Sequence, residues 1–302
     1  MKTTHTILCG ALAALSFSAP LEAWDSVGHQ VVAHIAWENM NQQARDRAVE
    51  LLKAAPPDAD LASLSADGHV LFLLASTWPD IVRDSSKPER QKAYHRSSWH
   101  YTNFFWEPTP EGTRDRDDLK PARENVVERL EELKKRLADP ARGDADKAVD
   151  LAWVLHLVGD VHQPLHTSAR VTPTEPEGDR GGNLFRLAGD DTLHWYWDSI
   201  LQKIWYRRGL GDSELAVKIA EDFQGRYPKS GLSGRLNLDF EAWAREGLAT
   251  AQEKVYPPSL ERGKEPSRSY RWEVTYATAK PAMALAGYRL AALLDGVLGA
   301  SR

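Results

Sequence analysis

Cysteine is almost absent: the 302 residues include one, Cys9, and it falls in a stretch that reads as a leader. The rest of the chain therefore has no disulfide framework and no thiolate metal ligand. A chain of this kind must be held by its core or by bound metal. Long apolar runs are also scarce. The run from Ile7 to Phe17 is too short for a membrane span, and no later stretch is expected to cross a membrane. Basic excess is missing too, with 38 Lys and Arg against 43 Asp and Glu and a formal net charge of −5. That excludes a broad basic footprint on duplex backbone but leaves room for a local positive site. Strict alternation of apolar and polar residues is rare, so no sheet is expected.

The first stretch has the order of a secretory signal: Lys2, the apolar run, Pro20 and then the small residue Ala23. Cleavage is expected after Ala23, although Leu21 is large for its place. Residues 1–23 are then the signal and residues 24–302 one domain, exported to the periplasm or secreted.

What the chain does have is helical periodicity. Apolar residues recur at helical spacing over 30–40, 42–55, 125–137, 144–161, 193–205, 213–223, 240–255 and 274–298. Asn41 is a cap between the first two, and Pro281 is expected to kink or restart the last. The stretches 84–90, 106–118, 171–183 and 257–267 read as loops. The fold class is all-α: a single, mainly helical domain with long loops.

Nine histidines follow the leader. His156 and Asp160 are four apart on the most apolar helix, hence on one face, and are costly there unless paired or bound. Pro164 ends or bends that helix and can bring His166 to the same side. His194 and Asp198 repeat the spacing. Either pair alone reads as a hydrogen-bonded pair; together with His166 they suggest a multinuclear site. Histidine and carboxylate donors suit zinc, with iron or manganese open on ligand type.

A set of motifs then runs in order along the chain: Trp24-Asp25-Ser26-Val27-Gly28-His29, Trp78-Pro79-Asp80-Ile81-Val82-Arg83, Trp99-His100-Tyr101, His156-Leu157-Val158-Gly159-Asp160 and Gln163-Pro164-Leu165-His166. Gly181-Gly182-Asn183, His194-Trp195-Tyr196-Trp197-Asp198 and Ala286-Gly287-Tyr288-Arg289-Leu290-Ala291 complete it. This set resembles the secreted zinc-dependent single-strand nucleases and 3′-nucleotidases of the nuclease S-one/P-one type, distant relatives of zinc phospholipase C. The resemblance implies three Zn2+ in a helical cleft. Asp80, His100, His156 and Asp160 hold the first. Trp24, His29 and Asp160 hold the second, Trp24 through its free α-amine and carbonyl, and Asp160 bridges the two. His166, His194 and Asp198 hold the third. The metals would carry the formal charge of the chain after the signal from −5 to +1.

The implied reaction is in-line hydrolysis of phosphodiester bonds in single-stranded DNA and RNA, leaving 5′-phosphates, with 3′-mononucleotides as further substrates. Asp80 would orient the attacking water and Arg83 would hold the charge growing on phosphorus. Tyr101 is the candidate base-stacking residue and Asn103 the candidate partner of the base edge. His34, His69, His95 and His162 have no ligand slot, and no obligate protein partner is implied. Two other readings share these residues. A phospholipase C-like lipid phosphodiesterase tends to carry Glu where Asp198 stands. A non-catalytic periplasmic zinc-binding protein has no need of Arg83.

Overall fold

The computed structural model describes residues 24–205 and 209–299. The expected signal and its cleavage point lie outside the described residues. Twelve α-helices run in order along the described chain: α1 Ser26–Asn39, α2 Gln42–Lys53, α3 Gly68–Ala75, α4 Trp78–Ile81, α5 Pro88–Tyr94 and α6 Val126–Ala138. They continue as α7 Asp144–Asp160, α8 Leu193–Asp198, α9 Ile200–Trp205, α10 Asp212–Arg226, α11 Phe240–Thr250 and α12 Ala277–Leu298.

Short polar residues start these helices by accepting orphan backbone N–H groups. Asp25 accepts from Gly28 at the start of α1, Asn41 from Ala44 at α2, Asn125 from Val127 and Glu128 at α6, and Thr192 from Trp195 at α8. Asn41 is thus the cap its sequence position predicts.

α7 is the axis of the molecule. It is buried almost all round from Lys147 to Asp160 and packs against α1, α2, α4, α6 and α12. A helix apolar on every face is a core helix. Trp24, Trp78, Trp153 and Trp243 are all buried in the same continuous core.

A small sheet departs from the sequence expectation. Strands β1 Phe104–Thr109 and β2 Gly112–Asp115 form an antiparallel hairpin, and β3 Ser168–Arg170 pairs parallel to β1. The register sets Phe104 beside Ser168, Phe105 beside Ala169 and Trp106 beside Arg170. The hairpin lies in a stretch read as loop, because β2 is wholly exposed and shows no alternation. The fold class is otherwise as expected, helical throughout with this one sheet.

Two further details differ from expectation. The 193–205 helix breaks at Ser199 into α8 and α9. The last helix passes Pro281 without ending, preceded by π-helical turns at Tyr270–Tyr276. The helical stretch Tyr270–Leu298 also has the length and mean hydropathy, 1.2, of a membrane span, which the sequence reading did not anticipate. Its apolar side packs on α1, α2, α6 and α7, as a core helix does.

Candidate metal centre

Four elements deliver the buried pair of groups. α1 supplies His29, α7 supplies His156 and Asp160, and a short 3-10 turn, Ser97–His100, supplies His100. α4 adds Asp80 at its third residue, with Pro79 fixing the first turn. His29 stacks on His156 with ring centroids 3.9 Å apart. That approach depends on Gly159, where a Cβ would lie 2.8 Å from His29 Nδ1.

The third group comes from the 3-10 turn Pro164–His166 and from α8, which carries His194 and Asp198. The parallel β1–β3 pairing links the two halves. Thr102 N–H donates to the His166 carbonyl at 2.8 Å and Phe104 N–H to the Thr167 carbonyl at 3.2 Å. The sheet thereby holds the segment after His100 against the segment carrying His166.

Ligand atoms converge in three sets: His29, His156 and Asp160; Asp80, His100 and His156; and His166, His194 and Asp198. His29 Nε2 and His156 Nε2 each lie 3.4 Å from Asp160 Oδ1, and His194 Nε2 lies 3.4 Å from Asp198 Oδ2. A charge-assisted hydrogen bond is shorter, about 2.7–2.9 Å. Two donors on one tetrahedral zinc stand about 3.3 Å apart, given zinc–nitrogen and zinc–oxygen bonds near 2.0–2.2 Å. The spacing fits donors of a common ion better than donors of a hydrogen bond.

Orientation of the rings supports the same fit. His156 Nδ1–H donates to the Ser76 carbonyl at 2.8 Å, His166 Nδ1–H to the His100 carbonyl at 2.7 Å, and His194 Nδ1–H to the Gly181 carbonyl at 2.7 Å. Each bond fixes the tautomer that leaves Nε2 with its lone pair facing inward. His29 Nδ1 and Nε2, His100 Nε2, His166 Nε2 and Asp160 Oδ1 are buried without a hydrogen-bond partner. Orphaned polar atoms at this density are otherwise rare. The residues present fit a metal-binding centre made of nitrogen and oxygen donors.

One assignment differs from the resemblance in detail, since His156 falls within reach of both buried sets. Its Nδ1 is engaged by Ser76, so one atom, Nε2, is left to ligate. Asp160 has two oxygens, and they diverge: Oδ1 faces His29 and His156, while Oδ2 lies 3.0 Å from His100 Nδ1.

Burial controls protonation here. It holds His29, His100 and His166 well below the ordinary histidine value and His156 down to about 3. Burial also pushes Asp160 well up, helped by Asp80, and raises Asp80 to about 6 against the pull of Arg83. Neutral imidazoles are the ligand form.

Arg83, three residues after Asp80, forms an ion pair with it, Nη2 lying 2.8 Å from Asp80 Oδ1. Its Nε and Nη1 are buried with no partner. A cavity of about 470 Å³ opens at His194 and is lined by Tyr101, Asn103, Arg180 and Arg186, among others. Trp24 is buried beside Gly159, and the next residue, Asp25, donates its N–H to the Asp198 carbonyl at 3.0 Å. The start of the described chain is thus tied to the third group.

Sequence reading passed over three supporting groups. Gln163 donates from Nε2 to Asp198 Oδ1 at 2.6 Å and accepts from Leu165 N–H, which aims Asp198 Oδ2 at His194. Its place in the motif before His166 was the available signal. Ser76 and Gly181 act through backbone carbonyls, which no side-chain pattern reveals. Among the other histidines, His34 Nδ1 meets His69 Nε2 at 3.0 Å, and His162 bridges the Val158 carbonyl and Arg289.

Removal of metal is expected to lower the melting temperature by about 10 °C or more. Saturation at a thousandfold above Kd adds about 4 kcal/mol per site, and each kcal/mol moves a domain of this size by about 2–4 °C. Calorimetry with and without chelator measures the shift, and an unchanged melting temperature counts against a structural contribution from metal. The chelated protein should also weaken on acidification. Below about 6.5 the unfolded histidines take up protons that the buried ones refuse, so stability falls with pH. Asp80 and Asp160, with raised values, act in the opposite sense but are outnumbered. Urea midpoints at pH 7 and pH 5 test the sign.

Fold and site together define a helical protein built round a His- and Asp-rich metal-binding cleft. A profile described as S1/P1 Nuclease matches residues 24–299, and the chain belongs to that family. It is 26% identical over 211 residues to Endonuclease 2 of Arabidopsis thaliana, covering 66% of this chain and 63% of that protein. It is 24% identical over 199 residues to Nuclease P1 of Penicillium citrinum, covering 65% and 64% respectively. Each of these matches spans less than two thirds of the relative's length.

Proposed function

We propose that the chain is an exported, three-zinc endonuclease. It hydrolyses phosphodiester bonds of single-stranded DNA and RNA to 5′-phosphate products and also removes 3′-phosphates from mononucleotides. The observation that carries this reading is Arg83: two buried, unpartnered guanidinium donors beside the metal-binding groups, where a phosphoryl group would sit. Membership of the S1/P1 Nuclease family supports it.

Zinc held by these residues supplies Lewis acidity for phosphoryl oxygens and activates water near neutral pH. Asp80 turns one oxygen toward His156 and the other toward Arg83, so it orients the attacking water. Raised to about 6, it accepts a proton more readily than an ordinary carboxylate. Arg83 binds the non-bridging phosphoryl oxygens through its free edge and meets the charge that grows there. Tyr101 stacks the base and Asn103 bonds its edge, a mode open only to unstacked nucleotides. That restriction accounts for single-strand preference.

Protein beginning at Trp24 should release 5′-phosphorylated products from single-stranded DNA, and chelator should abolish this. Fully zinc-loaded protein that leaves the DNA intact would sink the nuclease reading. The Trp24 ligand has its own test. One extra residue ahead of Trp24 blocks the α-amine, and the expected result is loss of one zinc and of most activity. Mass-verified blocked protein with three zincs and full activity removes the N-terminal ligand.

A further inference from the structure

The cavity beside His194 has a wall that the proposed chemistry leaves unused. It is formed by the loop from Gly178 to Gly182, where four of five residues have positive φ: Gly178 at 83°, Arg180 at 55°, Gly181 at 60° and Gly182 at 77°. Glycine adopts this region freely, whereas an arginine there is under backbone strain. Such strain persists when the surroundings over-determine it, and it collects at functional sites.

The surroundings of Arg180 do over-determine it. On one side stands Asp179, fully buried, whose carboxylate accepts from Arg170 N–H at 2.9 Å and from Tyr256 Oη–H at 2.6 Å. On the other side the Gly181 carbonyl accepts from the ligand His194. The Arg180 carbonyl itself accepts from the Asn183 side chain at 2.8 Å. The backbone is clamped between a buried carboxylate and a metal-ligating histidine, and the side chain projects into the cavity that opens at His194.

The guanidinium forms no hydrogen bond, ion pair or ring contact among the described residues, in contrast to Arg262 on Glu175 or Arg289 on Glu246. Glu177 lines the same cavity but does not pair with it. An exposed, unpaired cation carried on a clamped backbone at the mouth of a phosphodiester site is placed to receive an anion. Resting on the nuclease reading above, the geometry points to Arg180 as a specificity residue: it binds a backbone phosphate next to the scissile one. Longer substrates gain this contact and substrates with a single phosphate do not.

The test uses the zinc-loaded protein and Arg180→Asn, since Asn tolerates the left-handed conformation. Two substrates are compared over a salt series: a dinucleoside monophosphate, with its single phosphodiester, and a tetranucleotide. The expected result is a KM for the tetranucleotide raised roughly five- to tenfold, as for loss of one exposed charge-assisted contact, with kcat little changed. Kinetics on the dinucleoside monophosphate should stay the same. The salt slope for the tetranucleotide should shrink by about 0.7, one phosphate contact on a single strand, and Arg180→Lys should restore it. Equal losses on both substrates, no loss on either, or loss of zinc would overturn the proposal and leave Arg180 a structural residue. If wild-type protein cuts neither substrate, the nuclease reading has failed first.

Discussion

Asp160→Asn is expected to remove at least one zinc and to lower kcat/KM by about a thousandfold or more, several kcal/mol of transition-state stabilisation. The reason is the position of the carboxylate. Oδ1 lies 3.4 Å from both His29 Nε2 and His156 Nε2, and Oδ2 lies 3.0 Å from His100 Nδ1. Among the described residues no other carboxylate faces all three histidines with its two oxygens. Asparagine keeps the shape but loses the charge and turns an N–H2 toward imidazole lone pairs. The apo fold should tolerate the change, because burial already favours the neutral form of Asp160. Metal analysis, circular dichroism and kinetics on one preparation separate the outcomes. A folded variant with wild-type zinc and activity would remove Asp160 from the centre.

Arg83→Ala should act differently. All three zincs should remain, since Arg83 offers no ligand atom, while kcat falls by about a hundred- to a thousandfold, the usual effect of losing one preorganised donor to a developing anion. Its Nη2–Asp80 contact is lost as well, so Asp80 should rise further and the acid limb of the pH–rate profile should move up. Arg83→Lys restores charge but not the two-pronged geometry and should recover only part of the rate. Full zinc with no loss of kcat would favour a non-catalytic zinc-binding protein. The two substitutions are complementary, one emptying the site and the other leaving it full but slow.

The pairings His156–Asp160 and His194–Asp198 were legible because four residues on a helix bring side chains to one face whatever the rest of the chain does. The longer helices were legible for the same reason, and so was the cap at Asn41, whereas α3, α4 and α5 were not, each being eight residues or fewer, and α5 begins inside the stretch 84–90 that reads as loop. The hairpin was not, because its second strand is exposed and its partner β3 has three residues, too short for a period to show.

Local pattern alone left the remaining candidate ligands separate. His29, Asp80, His100 and His166 sit on four segments, and motif order could suggest their company but not bring them together. Their meeting is a product of packing: α1 reaches α7 where Gly159 has no side chain, and parallel pairing of β1 with β3 ties His100 to His166. The same holds for Arg180, whose significance rests on a positive φ and an unpaired guanidinium, neither visible in a string of residues. The sequence by itself determined the helices, the chemistry of the donors and the spacing within each helix, all set by contacts a few residues apart. Only the tertiary structure decided which candidate donors converge and that, among the described residues, Arg180 has no partner, because both depend on distances between groups remote in the chain.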